Sequence, residues 1–283
     1  MKKQNYFKTI FLLLLFSIKL AAQVPPFVPT NGLVGWWPFT GNANDLSGNG
    51  NNGTNNGAIL TTDRFSNSNS AYQFNTNNYI EVLSNAMFNF ASNNQISISF
   101  WLKTTSGPAI PISKQTSSGA NQLGWNIAIR DNLNPYCSNY FSNYLLVKNG
   151  SGPQGYNYAC SNTYNNQWHN LVFTYDNGTG KGYFDGQLVN TTISSGIIGN
   201  NTSNMRIGQP SWTPGFNFVG ILDDIGIWNR ALTGCEINQL YTASTPTINT
   251  VVSNSIICAG QNATISTINN TPASGGIITY SNG

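Results

Sequence analysis

The chain has 283 residues, 40% of them hydrophobic, 7% charged and 28 of them glycine. That is enough apolar material for a sizeable core and excludes a disordered chain. Its formal charge of +3 resides at the N-terminus: taking away residues 1–22 with Lys2, Lys3, Lys8 and Lys19, and no acid, leaves −1, so a nucleic-acid partner loses its electrostatic driving force.

Residues 1–22 read as a signal peptide. Lysines precede the apolar run TIFLLLLFSI, and the small residues Ala21 and Ala22 follow it. About ten apolar residues fall short of the roughly 20 that cross a bilayer, and no later segment is long enough, so no transmembrane segment is expected. Export places the protein outside the cell, secreted or on a bacterial cell surface, where disulfides persist.

The Asn- and Gly-rich stretch SGNGNNGTNNG at 47–57 favours turns. Short alternating runs follow at SAYQFN, NYIEVL, GWNIAIR, YLLVK and SNMRIGQ. In ISISFWLK (96–103), Ile96, Ile98, Phe100 and Leu102 share one face and Ser97, Ser99, Trp101 and Lys103 the other, the pattern of a half-buried strand. WHNLVFTYD (168–176) is another strand, and Asp185-Gly186 marks a hairpin turn with positive φ at both central residues. Strands at this spacing indicate an all-β sandwich.

Cys137 and Cys160 sit almost equidistant from a turn at Lys148-Asn149-Gly150-Ser151, which predicts a disulfide between them worth roughly 3 kcal/mol. Cys235 either pairs with Cys258 or stays a buried thiol. One helix is expected, at about 234–241, with Thr233 and Glu236 spaced as a capping box. After Ser244 the texture changes, and new alternating strands over residues 246–283 open a second β-domain, too short to build a core alone.

Nine acidic residues serve the whole chain, and two of them, Asp223 and Asp224, stand together inside FVGILDDIGIWNRALTGCEINQLY (218–241). Strand alternation puts Ile221, Asp223, Ile225 and Ile227 on one face and Leu222, Asp224, Gly226 and Trp228 on the other, so the two carboxylates should point apart. At least one is drawn into an apolar layer and needs a compensating charge or several donors. A protein-only solution pairs Asp223 with Arg206 or Arg230, or caps backbone N–H groups.

Catalysis finds little support. His169, the single histidine, reads as a sheet residue with a satisfied hydrogen bond, and no GxSxG nucleophile turn exists. Glycoside hydrolysis needs two facing carboxyl groups, but Glu81 stands alone on its strand and Glu236 caps the helix. Recognition is better served. Trp125, Tyr136, Tyr140, Tyr156, Tyr164 and Trp212 in loops and turns could stack on sugar rings or fill the sandwich, with Trp125, Tyr136 and Trp212 the chosen ligand-binding candidates.

Four stretches in order carry a family likeness: GLVGWWPFTGNANDLSGNGNNGT, ISISFWLKT, QWHNLVFTYDNGTGKGYFDGQLV and FVGILDDIGIWNRALTGCEINQLY. Over about residues 30–243 they resemble the laminin-G-like, concanavalin-A-like jelly roll of secreted bacterial proteins. The resemblance implies an all-β, two-sheet antiparallel jelly-roll sandwich over 27–243 with one short C-terminal helix, followed by a partial β-sandwich domain. Its first and last strands should be neighbours. In many members the fold holds a structural calcium ion, for which Asp223 or Asp224 would combine with Asp45, Ser47 and Asn49 of the N-terminal loop. The tail is similar to immunoglobulin-like repeats of large surface proteins in the Bacteroidetes group. The family includes lectin-like modules, adhesins and accessory domains of glycosidases. The expected function is therefore non-catalytic: glycan binding, to a cell-surface polysaccharide for instance, or adhesion. The alternatives are a structural spacer or an accessory module of a polysaccharide-degrading enzyme. Oligomeric state is not legible.

Overall fold

The computed structural model describes residues 23–116, 122–130, 141–149, 154–212 and 215–242. Among the described residues, fifteen strands form two antiparallel sheets, closed by one α-helix. In chain order these are β1 (Leu33–Trp37), β2 (Gly53–Asn56), β3 (Ile59–Thr61), β4 (Ala71–Phe74), β5 (Tyr79–Val82), β6 (Gln95–Lys103), β7 (Ala109–Gln115) and β8 (Leu123–Ile129). Then come β9 (Phe141–Asn149), β10 (Gln154–Ser161), β11 (His169–Asp176), β12 (Thr179–Phe184), β13 (Gln187–Ile193), β14 (Met205–Ile207), β15 (Gly220–Trp228) and the helix α1 (Gly234–Thr242).

The eight-stranded sheet runs β13-β12-β11-β6-β15-β4-β3, with β1 also paired to β15; the seven-stranded sheet runs β10-β9-β8-β7-β14-β5-β2. The first and last strands are thus neighbours, as the resemblance implied. Their facing apolar rows, Ile96, Ile98, Phe100 and Leu102 from β6 against Ile127, Leu145, Val147 and Ile207, make one continuous core.

The outer face of the eight-stranded sheet is not solvated. Residues 24–33 and α1 lie across it, and Val28, Leu33, Trp36, Val172, Tyr183, Trp228, Leu232, Ile237 and Leu240 form a second buried cluster there. β6 is therefore buried on both faces rather than half-buried: Ser97 and Ser99 are enclosed with their hydroxyls beneath the cover, Ser97 Oγ donating to Arg230 O and accepting from Leu232 N.

Local predictions hold where short-range chemistry decides. Asp185 and Gly186 have φ of 48° and 77°, as the hairpin turn requires. In the capping box, Thr233 Oγ1 accepts from Glu236 N at 3.2 Å while Glu236 Oε2 accepts from Thr233 N at 2.9 Å. β9 and β10 form the expected hairpin. The proposed immunoglobulin-like segment, 246–283, and the signal peptide, 1–22, lie outside the described residues.

Candidate functional site

The paired aspartates are answered by a residue that the sequence did not nominate. Arg64, in the loop between β3 and β4, forks across both: Nη1 to Asp223 Oδ2 at 2.7 Å and Nη2 to Asp224 Oδ2 at 2.7 Å. Strict alternation fails because β15 carries a β-bulge between Asp223 and Gly226, where Asp224 takes φ 45°. The bulge turns both carboxylates to one guanidinium and lets Leu222, Ile225 and Ile227 share the core face. It sits where β15 changes its neighbour from β4 to β1.

Arg64 is clamped between rings, its guanidinium 4.3 Å from the Phe65 centroid and 4.4 Å from that of Trp101, which itself stacks on Tyr241 of α1 at 5.7 Å. Burial, then the neighbouring Asp224 charge, holds the Asp223 carboxyl well above the ordinary carboxylate range; burial also raises Asp224. Arg206 and Arg230, the expected partners of Asp223, pair instead with Glu81 at 3.2 Å and Glu236 at 2.5 Å. With the Arg64, Asp223 and Asp224 side chains 5%, 3% and 15% exposed, this is a buried structural knot.

The residues proposed for calcium do not fit the ion. Asp45 lies across β1 from β15 and folds its own loop: Oδ1 accepts from Trp36 N and Ser47 N, Oδ2 from Ser47 Oγ and Asn51 N, all within 2.9 Å. Asn49 turns its amide donor, not its oxygen, to Leu33 O and Val34 O. Asp223 and Asp224 are spent on Arg64, and no three His, Cys, Asp or Glu side chains converge among the described residues. Four N–H and O–H donors do for Asp45 what a cation would have done.

Among the ligand-binding candidates, Trp125 is overturned. It shares parity with Ile127 and Ile129, packs near Phe90, and is 1% exposed between the sheets. Tyr164 also packs on the core. Tyr136 and Tyr140 lie outside the described residues, as does the side chain of Tyr156. Trp212 is half-exposed on the outer face of the seven-stranded sheet, against Ile110, Ala128, Tyr144, Leu146 and Tyr158.

On the same face as Trp212 lies a group that composition did not point to. Phe216 is 52% exposed and holds φ 54°, a left-handed backbone that costs a non-glycine residue of order 1–3 kcal/mol. The described residues of its loop are tied to the sheet and to each other: Ile110 N donates to Phe216 O at 2.7 Å, Gly208 N to Pro111 O at 2.7 Å, and Phe218 N to Gly208 O at 2.9 Å. Arg130, exposed at the end of β8, has its guanidinium 5.6 Å from the Phe216 ring centroid and 5.9 Å from that of Tyr144, and Tyr144 meets Tyr158 edge-on at 5.7 Å. Farther along the same face, Arg206 stacks over Tyr79 at 4.4 Å beside Gln209. The result is a fixed aromatic platform with guanidinium donors at its edge. The alternation Phe216-Asn217-Phe218, with only Phe218 buried, was the available signal.

His169 is satisfied on both sides, Nδ1 to Asp185 Oδ2 at 2.8 Å and Nε2 to Asn165 Oδ1 at 3.1 Å. Cys235 is disulfide-bonded, which removes the buried-thiol alternative. The backbone register sets Cys160 opposite Ser142, five residues from the expected partner; Cys137 lies outside the described residues, as does the Cys160 side chain.

A family model described as the concanavalin A-like lectin/glucanases superfamily, Laminin_G_3, matches residues 74–238. The chain belongs to this superfamily. Its superfamily fold also appears in solved structures of low identity. The binding domain of Paraclostridial Mosquitocidal Protein 1 superposes with a TM-score of 0.61 at 19% identity, over 76% of this chain and 53% of that one. Domain 4 of AbnA, a GH43 extracellular arabinanase from Geobacillus stearothermophilus in complex with arabinotriose, gives 0.52 at 19% identity, over 74% and 98%. The binding domain of Botulinum Neurotoxin DC in complex with SialylT gives 0.55 at 18%, over 77% and 53%. The chain spans about half the length of these toxin binding domains. No curated protein matches by sequence.

Proposed function

We propose that the domain is an exported, non-catalytic glycan-binding module that holds sugar against Trp212 and Phe216 on the outer face of the seven-stranded sheet. The observation that carries this reading is Phe216, an aromatic ring kept in solvent by a strained backbone on a pinned loop. Such an arrangement opposes both folding propensity and burial, and an exposed ring held on strained backbone supports a site, because such strain clusters where ligands bind. Rings of this type stack on the C–H faces of sugars while neighbouring donors bond hydroxyls.

Both glutamates are ion-paired, Glu81 to Arg206 and Glu236 to Arg230, which speaks for binding rather than glycoside hydrolysis. The Cys235 disulfide fits an oxidising compartment and supports export. The arabinanase domain, matched over nearly its full length, favours an accessory role beside a polysaccharide-degrading enzyme over a pure spacer. Retention on a glycan array tests the proposal. Wild-type protein should be held by a subset of glycans, and Trp212→Ala and Phe216→Ala should each weaken retention about tenfold or more at unchanged melting temperature. Retention indifferent to both substitutions would refute the site.

A further inference from the structure

We infer that the glycan recognised on this face carries a carboxylate on the sugar ring, as in a uronate or a sialate, and that Arg130 receives it. The inference rests on the glycan-binding reading above and adds the chemical class of ligand.

The first support is local. Arg130 is exposed and has no carboxylate partner among the described residues, whereas Arg64, Arg206 and Arg230 are each taken by an acid. The Phe216 and Tyr144 rings, both within 6 Å of the guanidinium, restrict its freedom and so lower the entropy lost when it forms a two-pronged hydrogen bond. A ring-borne carboxylate would reach it while the sugar lies against Phe216 and Trp212.

The second support is the distribution of charge. Among the described residues, strand parity puts Arg130, Lys148 and Arg206 on the outer face of the seven-stranded sheet, against Glu81 alone. Asp45, Asp63, Asp176, Asp185, Asp223, Asp224 and Glu236 all belong to the eight-stranded sheet, its loops and α1, where four bases, Arg64, Lys103, Lys181 and Arg230, answer seven acids. Among the described residues the signs are thus sorted across the sandwich, and the positive side is the side with the exposed platform. Such a field draws anionic ligands to that face.

Titration calorimetry on the protein from residue 23 onward distinguishes the outcomes, with trigalacturonate, 3′-sialyllactose, their uncharged counterparts trigalactose and lactose, and sulfated dextran as probes. At least one of the two carboxylated sugars should bind about tenfold more tightly than its neutral counterpart, the value of one charge-assisted hydrogen bond, with the preference shrinking as salt rises. Arg130→Gln should abolish the preference without altering the melting temperature, and Phe216→Ala should weaken the binding of acidic and neutral sugars alike. Asp131, next to Arg130, lies outside the described residues; Asp131→Asn should leave the preference in place. Equal binding of acidic and neutral sugars, a preference that appears only after Asp131 is replaced, or sulfated dextran held as tightly as the carboxylates would each overturn the inference and leave the glycan module standing. No binding to any sugar would remove the underlying reading itself.

Discussion

On the eight-stranded sheet the outward side chains Trp36, Trp101, Tyr183 and Trp228 lie beneath α1 and residues 24–33, and the charges among them are closed into the Arg64–Asp223–Asp224 knot. On the seven-stranded sheet the outward row of Tyr144, Leu146 and Tyr158 leads instead to half-exposed Trp212, exposed Phe216 and exposed Arg130. The strands of both sheets alternate alike. What differs among the described residues is whether another part of the chain supplies the third layer, and with it the partners for polar groups. Covered faces convert side chains into stability, and uncovered ones leave them for a ligand.

The sharpest way to break this contrast is to open the knot. Arg64→Ala leaves two buried carboxylates without a counter-charge, and loss of one partner of a buried pair costs about 3–5 kcal/mol; urea unfolding should show a fall of that size. Because burial raises both carboxyls and the Asp224 charge raises Asp223 further, the folded state holds protons that the unfolded chain releases. The contribution is present in acid and lost as pH rises through the folded value, so the Arg64→Ala deficit should shrink as pH is lowered toward the carboxylate range.

A second test lies inside the core. Lys114, fully buried, places its Nζ 2.7 Å from Asn201 O, 3.1 Å from Asn201 Oδ1 and 3.3 Å from Asn89 Oδ1, with no carboxylate among these partners. Burial lowers its pKa from 10.5 to about 8. A depressed base favours the fold once deprotonated, so stability from this group is fully present above pH 10.5 and is lost as pH falls through about 8. Equilibrium unfolding across that window should show a gain of about 3 kcal/mol at the alkaline end, absent from Lys114→Met.

Smaller effects mark the edges of each face. Thr233→Ala removes the capping box that seats α1 over the eight-stranded sheet and should cost about 1 kcal/mol in thermal unfolding. Phe216→Gly, on the open face, should cost no stability and can gain up to about 1 kcal/mol by relieving the left-handed backbone, while glycan binding falls. A large loss of stability there would make Phe216 a structural residue.

How much of this was legible in the sequence follows the range of the interactions. The hairpin at Asp185-Gly186, the capping box at Thr233 and Glu236 and the inward row of β6 are decided within a few residues, and each was readable. Arg64 was not, because its partners lie 159 and 160 residues away and only the sheet order brings them together. The bulge at Asp224 left a faint trace, two acids followed closely by Gly226 inside an apolar strand, but uniform alternation overrode it. Trp125 could have been placed inside from its parity with Ile127 and Ile129, whereas the outer face of β6 gave no sign of its cover, which comes from segments at both ends of the domain.

Mapping a sugar onto the amide spectrum tests the central claim most directly. Titrated with trigalacturonate or 3′-sialyllactose, the resonances of Arg130, Tyr144, Trp212 and Phe216 should move together while those of β6, β15 and α1 stay in place. Shifts gathered on α1 and the eight-stranded sheet, with the Phe216 platform unmoved, would contradict it.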